Sequence, residues 1–120
     1  MPNKAVLGAW GELQAAAYLK RKRYRLVAKN YLVRGAEVDL IVENRNYLVF
    51  VEVKTRQAAA FAEAREFVDS RKQARIRMAA SLWLANNETN KQPRFDVVGV
   101  YAPEGIKTRK PQIHHWENAF

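Results

Sequence analysis

The sequence predicts an α/β domain in which a mixed β-sheet lies under helical cover, and three observations lead there. Two segments carry helical periodicity, five short segments are rich in β-branched and aromatic residues, and the two kinds are interspersed along the chain. At 120 residues the chain fits one domain spanning 1–120, and a hydrophobic content of 48% is enough for a packed core.

The elements follow in order. From Val6 to about Lys22 the residues favour helix, with Gly8, Glu12, Ala15, Ala16 and Leu19 on one face and Gln14, Tyr18 and Arg21 opposite. Tyr24 to Val33 reads as a short strand with an irregular end, and Arg34-Gly35 supplies a turn. Ala36 to Glu43 and Tyr47 to Lys54 are two strands joined through Asn44-Arg45-Asn46 as a β-hairpin. The alanine-rich stretch from Ala58 to Val68 reads as a loop with one helical turn. Asp69 and Ser70 are good N-cap residues for a second helix that runs to about Asn86, with Ile76, Ala79, Ala80 and Trp83 as its apolar stripe. After a polar loop, Arg94 to Tyr101 and Gln112 to Trp116 form two further strands around the turn residues Pro103-Glu104-Gly105.

Twenty-one Lys and Arg against 12 Asp and Glu give a net charge of +9, which favours a polyanionic partner: nucleic acid first, an anionic membrane surface second. With no cysteine there is no disulfide framework and no thiolate metal site, so cytoplasm is the expected compartment. The apolar stretch Ala5 to Trp10 is broken by Gly11-Glu12 before it reaches signal-peptide length, and no run approaches the ~20 apolar residues of a membrane span.

The hairpin carries the chemistry. With Arg45-Asn46 as its turn, Asn44 faces Tyr47 and Asp39 falls opposite Glu52. The same register sets Val38, Leu40 and Val42 against Val53, Val51 and Val49 as one apolar face. The other face holds Glu37, Asp39, Ile41 and Glu43 against Lys54, Glu52, Phe50 and Leu48. Opposed Cβ atoms lie roughly 4.5 to 5.5 Å apart, close enough for Asp39 and Glu52 to share one divalent cation. The structural alternative pairs Glu37 with Lys54 and leaves Asp39 solvated. Ile41, Phe50 and Leu48 are too apolar for an exposed strand face and argue for a covered cleft.

Gly35-Ala36-Glu37-Val38-Asp39-Leu40-Ile41 followed by Phe50-Val51-Glu52-Val53-Lys54-Thr55-Arg56 resembles the PD-(D/E)xK nuclease signature. Over nearly its full length the chain resembles the YraN family of small bacterial proteins. The resemblance is carried by Gly8-x-x-Gly11-Glu12, the hairpin, Arg94-Phe95-Asp96-Val97-Val98 and Asn118-Ala119-Phe120. It implies a restriction-endonuclease-like fold akin to archaeal Holliday-junction resolvases, and with it a two-fold homodimer. It also implies Asp39 and Glu52 as metal ligands together with the backbone carbonyl of Val53, Lys54 as the catalytic lysine, and Glu12 as an additional acid from the first helix. One departure is Ala62, where the family usually carries glycine after Phe61.

An all-oxygen ligand set suits Mg²⁺ or Mn²⁺ rather than zinc. Beside two carboxylates Lys54 is expected as the ammonium form, orienting water and offsetting charge. Glu12 is expected at the middle of its helix's small-residue face, and Lys72, on the Ile76/Trp83 side of the second helix, to snorkel, its stem packed and its head emerging near the cleft. Asp96 is expected to bond an Arg or a backbone amide, and His114-His115 to be structural. Three function classes stay open: a nuclease acting on DNA, a catalytically silent nucleic-acid-binding module on the same fold, and an adaptor for acidic proteins.

Overall fold

Why the strands pair as they do follows from the lengths of their connections. A computed structural model of the chain describes residues 3–57 and 68–120. Helix α1 (Lys4–Arg21) leads into strands β1 (Arg25–Val33), β2 (Ala36–Glu43) and β3 (Tyr47–Arg56). Helix α2 (Ser70–Asn86) and strands β4 (Gln92–Tyr101) and β5 (Gln112–Trp116) complete the chain, with a single 3₁₀ turn, Gly105–Lys107, before β5. Short connections make β1/β2, β2/β3 and β4/β5 antiparallel. The long crossover through α2 makes β3 and β4 parallel, in a five-stranded sheet of order β1-β2-β3-β4-β5. The sequence expectation placed each described element within about two residues; the stretch 58–67 lies outside the described residues.

Local chemistry sets each turn. Arg34 (φ 51°) and Gly35 (φ 79°) both adopt positive φ, which matches the right-handed twist of a two-residue hairpin between β1 and β2. At the β2–β3 hairpin the Asn44 side chain accepts from the Asn46 and Tyr47 amides at 3.0 and 2.8 Å, and the Asn44 amide donates to the Tyr47 carbonyl. The predicted register holds for Leu40↔Val51, Ile41↔Phe50, Val42↔Val49 and Glu43↔Leu48. Helix α2 starts where Asp69 caps it, its carboxylate accepting from the Lys72 amide at 2.9 Å.

Two cores sandwich the sheet. On one side α1 buries Ala15 and Leu19 against Leu40, Val42, Val49, Val51, Val98 and Val100. On the other, α2 buries Ile76, Ala79 and Ala80 against Ile41, Leu48, Phe50 and Val97. Val38 corrects the sequence expectation, because it packs with Ile41 in the α2 core rather than with Leu40 and Val42. The side-chain alternation of β2 therefore slips between Val38 and Leu40. The β1–β2 register is the same on both sides of this point, Tyr31 pairing with Val38 and Lys29 with Leu40, and shifts only between Leu26 and Ala28; Asn30, across from Asp39 in that register, has φ 49°.

Candidate active site

The β2–β3 ladder ends at Leu40↔Val51, so the two strands part from Asp39 onward. The acids do not face each other across a paired rung, as the simple register implied; they meet just beyond the last one. The Asp39 carboxylate takes over the ladder's next bond, accepting from the Val53 amide at 2.8 Å. Since N–H and C=O of one strand residue project toward the same neighbour, the Val53 carbonyl faces the same gap.

Glu52 is 1% exposed, an unusual place for a carboxylate. Its Oε2 is 2.7 Å from Lys72 Nζ and 3.7 Å from Lys54 Nζ, while its Oε1 is buried with no hydrogen-bond partner among the described residues. Burial, and then the negative charge of Glu52 alongside, push the Asp39 carboxyl up to about 8, against the pull of the Val53 amide. Glu12 arrives from α1. Burial raises its pKa, a hydrogen bond with Asn30 opposes this, and the charge of Glu52 adds to the rise.

Glu12 is half-buried at the flank of the helix face and not at its centre; the centre is Gly11, Ala15 and Leu19. At Gly11 α1 lies so close to the sheet that a Cβ there would fall 1.8 Å from Thr55 Oγ1. That contact fixes α1 one residue from Lys54, with Glu12 next to the acid pair.

One lysine expectation is sharpened and one needs correcting. Lys72 does bring its head to the cleft, and there it meets Glu52; burial lowers its pKa, but the bond to Glu52 outweighs this and raises it. Lys54 is held less firmly as an ammonium than two neighbouring acids suggest, because burial and then the charge of Lys72 lower its pKa. Glu37 pairs with Arg75 at 3.2 Å rather than with Lys54. Sequence reasoning missed Asn30 altogether; for Lys72, the ammonium on the same helix side as Ile76 pointed to the cleft but did not name Glu52 as its partner.

Asp96 belongs to a separate, structural network. It is bound by Arg94 at 2.9 and 2.8 Å, by His115 at 2.7 Å and by the Asn118 amide at 3.0 Å. Burial lifts its pKa, but these bonds outweigh it and hold the carboxyl below the usual range. The role expected for Asp96 is therefore the one it has.

The residues at the gap suit a hard divalent cation. Two carboxylates and a backbone carbonyl are the oxygen donors Mg²⁺ and Mn²⁺ prefer, and among the described residues no N–H reaches the buried Glu52 Oε1, whose neighbour for sharing a proton is the Asp39 carboxyl. Among the described residues no three His, Asp or Glu side chains converge in ligand geometry, so Glu12 stands near the pair without completing a three-acid set.

Fold and site together define the class: an α/β protein whose five-stranded mixed sheet, flanked by two helices, is consistent with a restriction-endonuclease-like fold. The chain belongs to the uncharacterised protein family UPF0102, the YraN family, whose model matches residues 11–100 and so spans every member of the cluster. It is 41% identical over 120 residues to a UPF0102 protein of Caldanaerobacter subterraneus, covering 98% of this chain and 97% of that one. It is 40% identical over 119 residues to one of Geobacter sulfurreducens (98% and 91% covered). To one of Rhodococcus jostii it is 40% identical over 121 residues, with both chains covered in full. No helix among the described residues is long and apolar enough to cross a membrane.

Proposed function

We propose that the chain is a Mg²⁺- or Mn²⁺-dependent nuclease that hydrolyses phosphodiester bonds in DNA. The observation that carries this reading is the meeting of Asp39 and Glu52 where β2 and β3 part, with Glu52 Oε1 buried and unpartnered in a protein of charge +9. A module that only binds nucleic acid gains nothing by presenting acids to phosphates.

Asp39, Glu52 and the Val53 carbonyl would hold the cation, which when bound supplies a Lewis acid for a phosphate oxygen and a more acidic water. The chain's own groups do the remaining work. Val53 N–H fixes the Asp39 carboxylate in the gap. Lys54, 3.7 Å from Glu52, orients the attacking water and offsets the negative charge that develops on the phosphate oxygens during attack on phosphorus. Glu12, tied to Asn30, stands on the α1 side of the gap as a further carboxyl beside the pair.

The test is cleavage of linear, flapped and four-way-junction DNA by the purified protein with Mg²⁺ or Mn²⁺. Lys54→Ala is expected to abolish cutting while fold and DNA binding persist, and Glu52→Ala serves as the control against a contaminating nuclease. Absence of wild-type cleavage on every DNA form overturns the reading, and binding without cleavage leaves the silent module in its place.

A further inference from the structure

Lys72 sits at a position that helix energetics disfavour. It lies in the first turn of α2 beside Arg71, and that turn carries no acidic residue. Cations there oppose the positive end of the helix dipole. In return Lys72 makes the shortest contact in the cluster, 2.7 Å to Glu52 Oε2, with its side chain still 30% exposed. Glu52 therefore has one oxygen neutralised by a long, partly solvated side chain and one that no lysine or backbone amide reaches among the described residues.

We propose that Lys72 is an exchangeable counter-ion. It neutralises Glu52 while the site is free of metal, gives way when a divalent cation docks between Asp39 and Glu52, and then turns its ammonium to the phosphate brought to that cation.

The inference rests on the nuclease reading for the cation's place and goes beyond it in giving Lys72 two successive partners. Geometry makes the exchange cheap. The main chain of residue 72 is pinned, because its amide is the group Asp69 caps, while four rotatable bonds separate that anchor from Nζ. A dication on Glu52 and an ammonium on the same carboxylate repel, and the mobile partner is the one that moves. Lys54 is the less mobile of the two amines, since it rises from β3 two residues beyond Glu52 and its side chain is 19% exposed.

The test measures Mn²⁺ binding by titration calorimetry on the full-length chain without DNA, for the wild type, Lys72→Met and Lys72→Arg, with thermal melts to establish folding. If Lys72 competes with the cation, Lys72→Met binds Mn²⁺ roughly tenfold or more tightly, about 1.4 kcal/mol, and Lys72→Arg stays near the wild type. DNA binding in Ca²⁺ then weakens in Lys72→Met, because the phosphate has lost its ammonium. Equal Mn²⁺ affinity in wild type and Lys72→Met overturns the exchange while leaving the metal reading intact. Mn²⁺ binding by neither overturns both. Tighter Mn²⁺ binding with undiminished DNA binding overturns the second partner.

Discussion

Asp39 is the residue on which the site's protonation turns. In the folded chain it keeps its proton up to about pH 8, whereas the unfolded chain releases it near the ordinary value of 3.8. Between those values the folded state binds more protons than the unfolded one, so this group's contribution makes stability fall as pH rises through that window. Asp39→Asn removes the buried charge and keeps an oxygen for the Val53 amide. It is expected to be more stable than the wild type at pH 9 by at least about 1.4 kcal/mol, the worth of one pKa unit, with the advantage shrinking toward pH 4. Urea unfolding in EDTA at both values measures it; an advantage independent of pH contradicts the account. Saturating Mn²⁺ at pH 9 is expected to close the gap by stabilising the wild type alone, which a melting-temperature shift reports.

At the scale of elements, the sequence was informative wherever local chemistry decides. The N-cap at Asp69, the Asn44 turn and the hairpin register depend on neighbours in the chain, and all three were legible. The slip of β2 between Val38 and Leu40 was not, because both faces of that strand are apolar and either alternation satisfies the pattern. It falls across from Asn30, one strand away, whose φ of 49° is likewise set by no pattern in β2. The docked side of α1 was misjudged by one residue for a related reason: Val6 and Leu13 are apolar yet 45% and 55% exposed, so the helix has no clean polar face to orient it. Gly11 sets the docking instead. Gly11→Ala forces a Cβ against Thr55 Oγ1 and is expected to cost about 1–3 kcal/mol through overpacking. Thr55→Ala in the same chain removes that oxygen but leaves Thr55's own Cβ position at 3.0 Å, so the double variant is expected to recover part of the loss. Strictly additive losses in denaturant titrations would show that the close approach is not the cause.

For the whole molecule, a count of 21 Lys and Arg overstates the cations available to a polyanion. Arg94 is spent on Asp96, Arg75 and Arg25 on Glu37 and Glu43, and Arg77 lies over the rings of Phe95 and Phe120 at 5.0 and 5.5 Å. Composition counts these charges alike, and only the packed chain separates them, which is why the strength of the nucleic-acid argument was legible in the sequence but its footprint was not. Arg71 is exposed in the first turn of α2, one residue from the lysine that reaches Glu52, so it is placed to meet a phosphate held at the gap. Arg71→Ala is therefore expected to reduce the slope of log binding constant against log salt by about 0.9 for duplex DNA, the signature of one lost phosphate contact. Arg77→Ala is expected to leave that slope unchanged and to lower the melting temperature instead, because it loses a stacking partner rather than a ligand contact. Binding isotherms at several salt concentrations distinguish the two; a slope change for Arg77→Ala equal to that for Arg71→Ala would mean that the footprint extends along the whole helix rather than centring on its N-terminal turn.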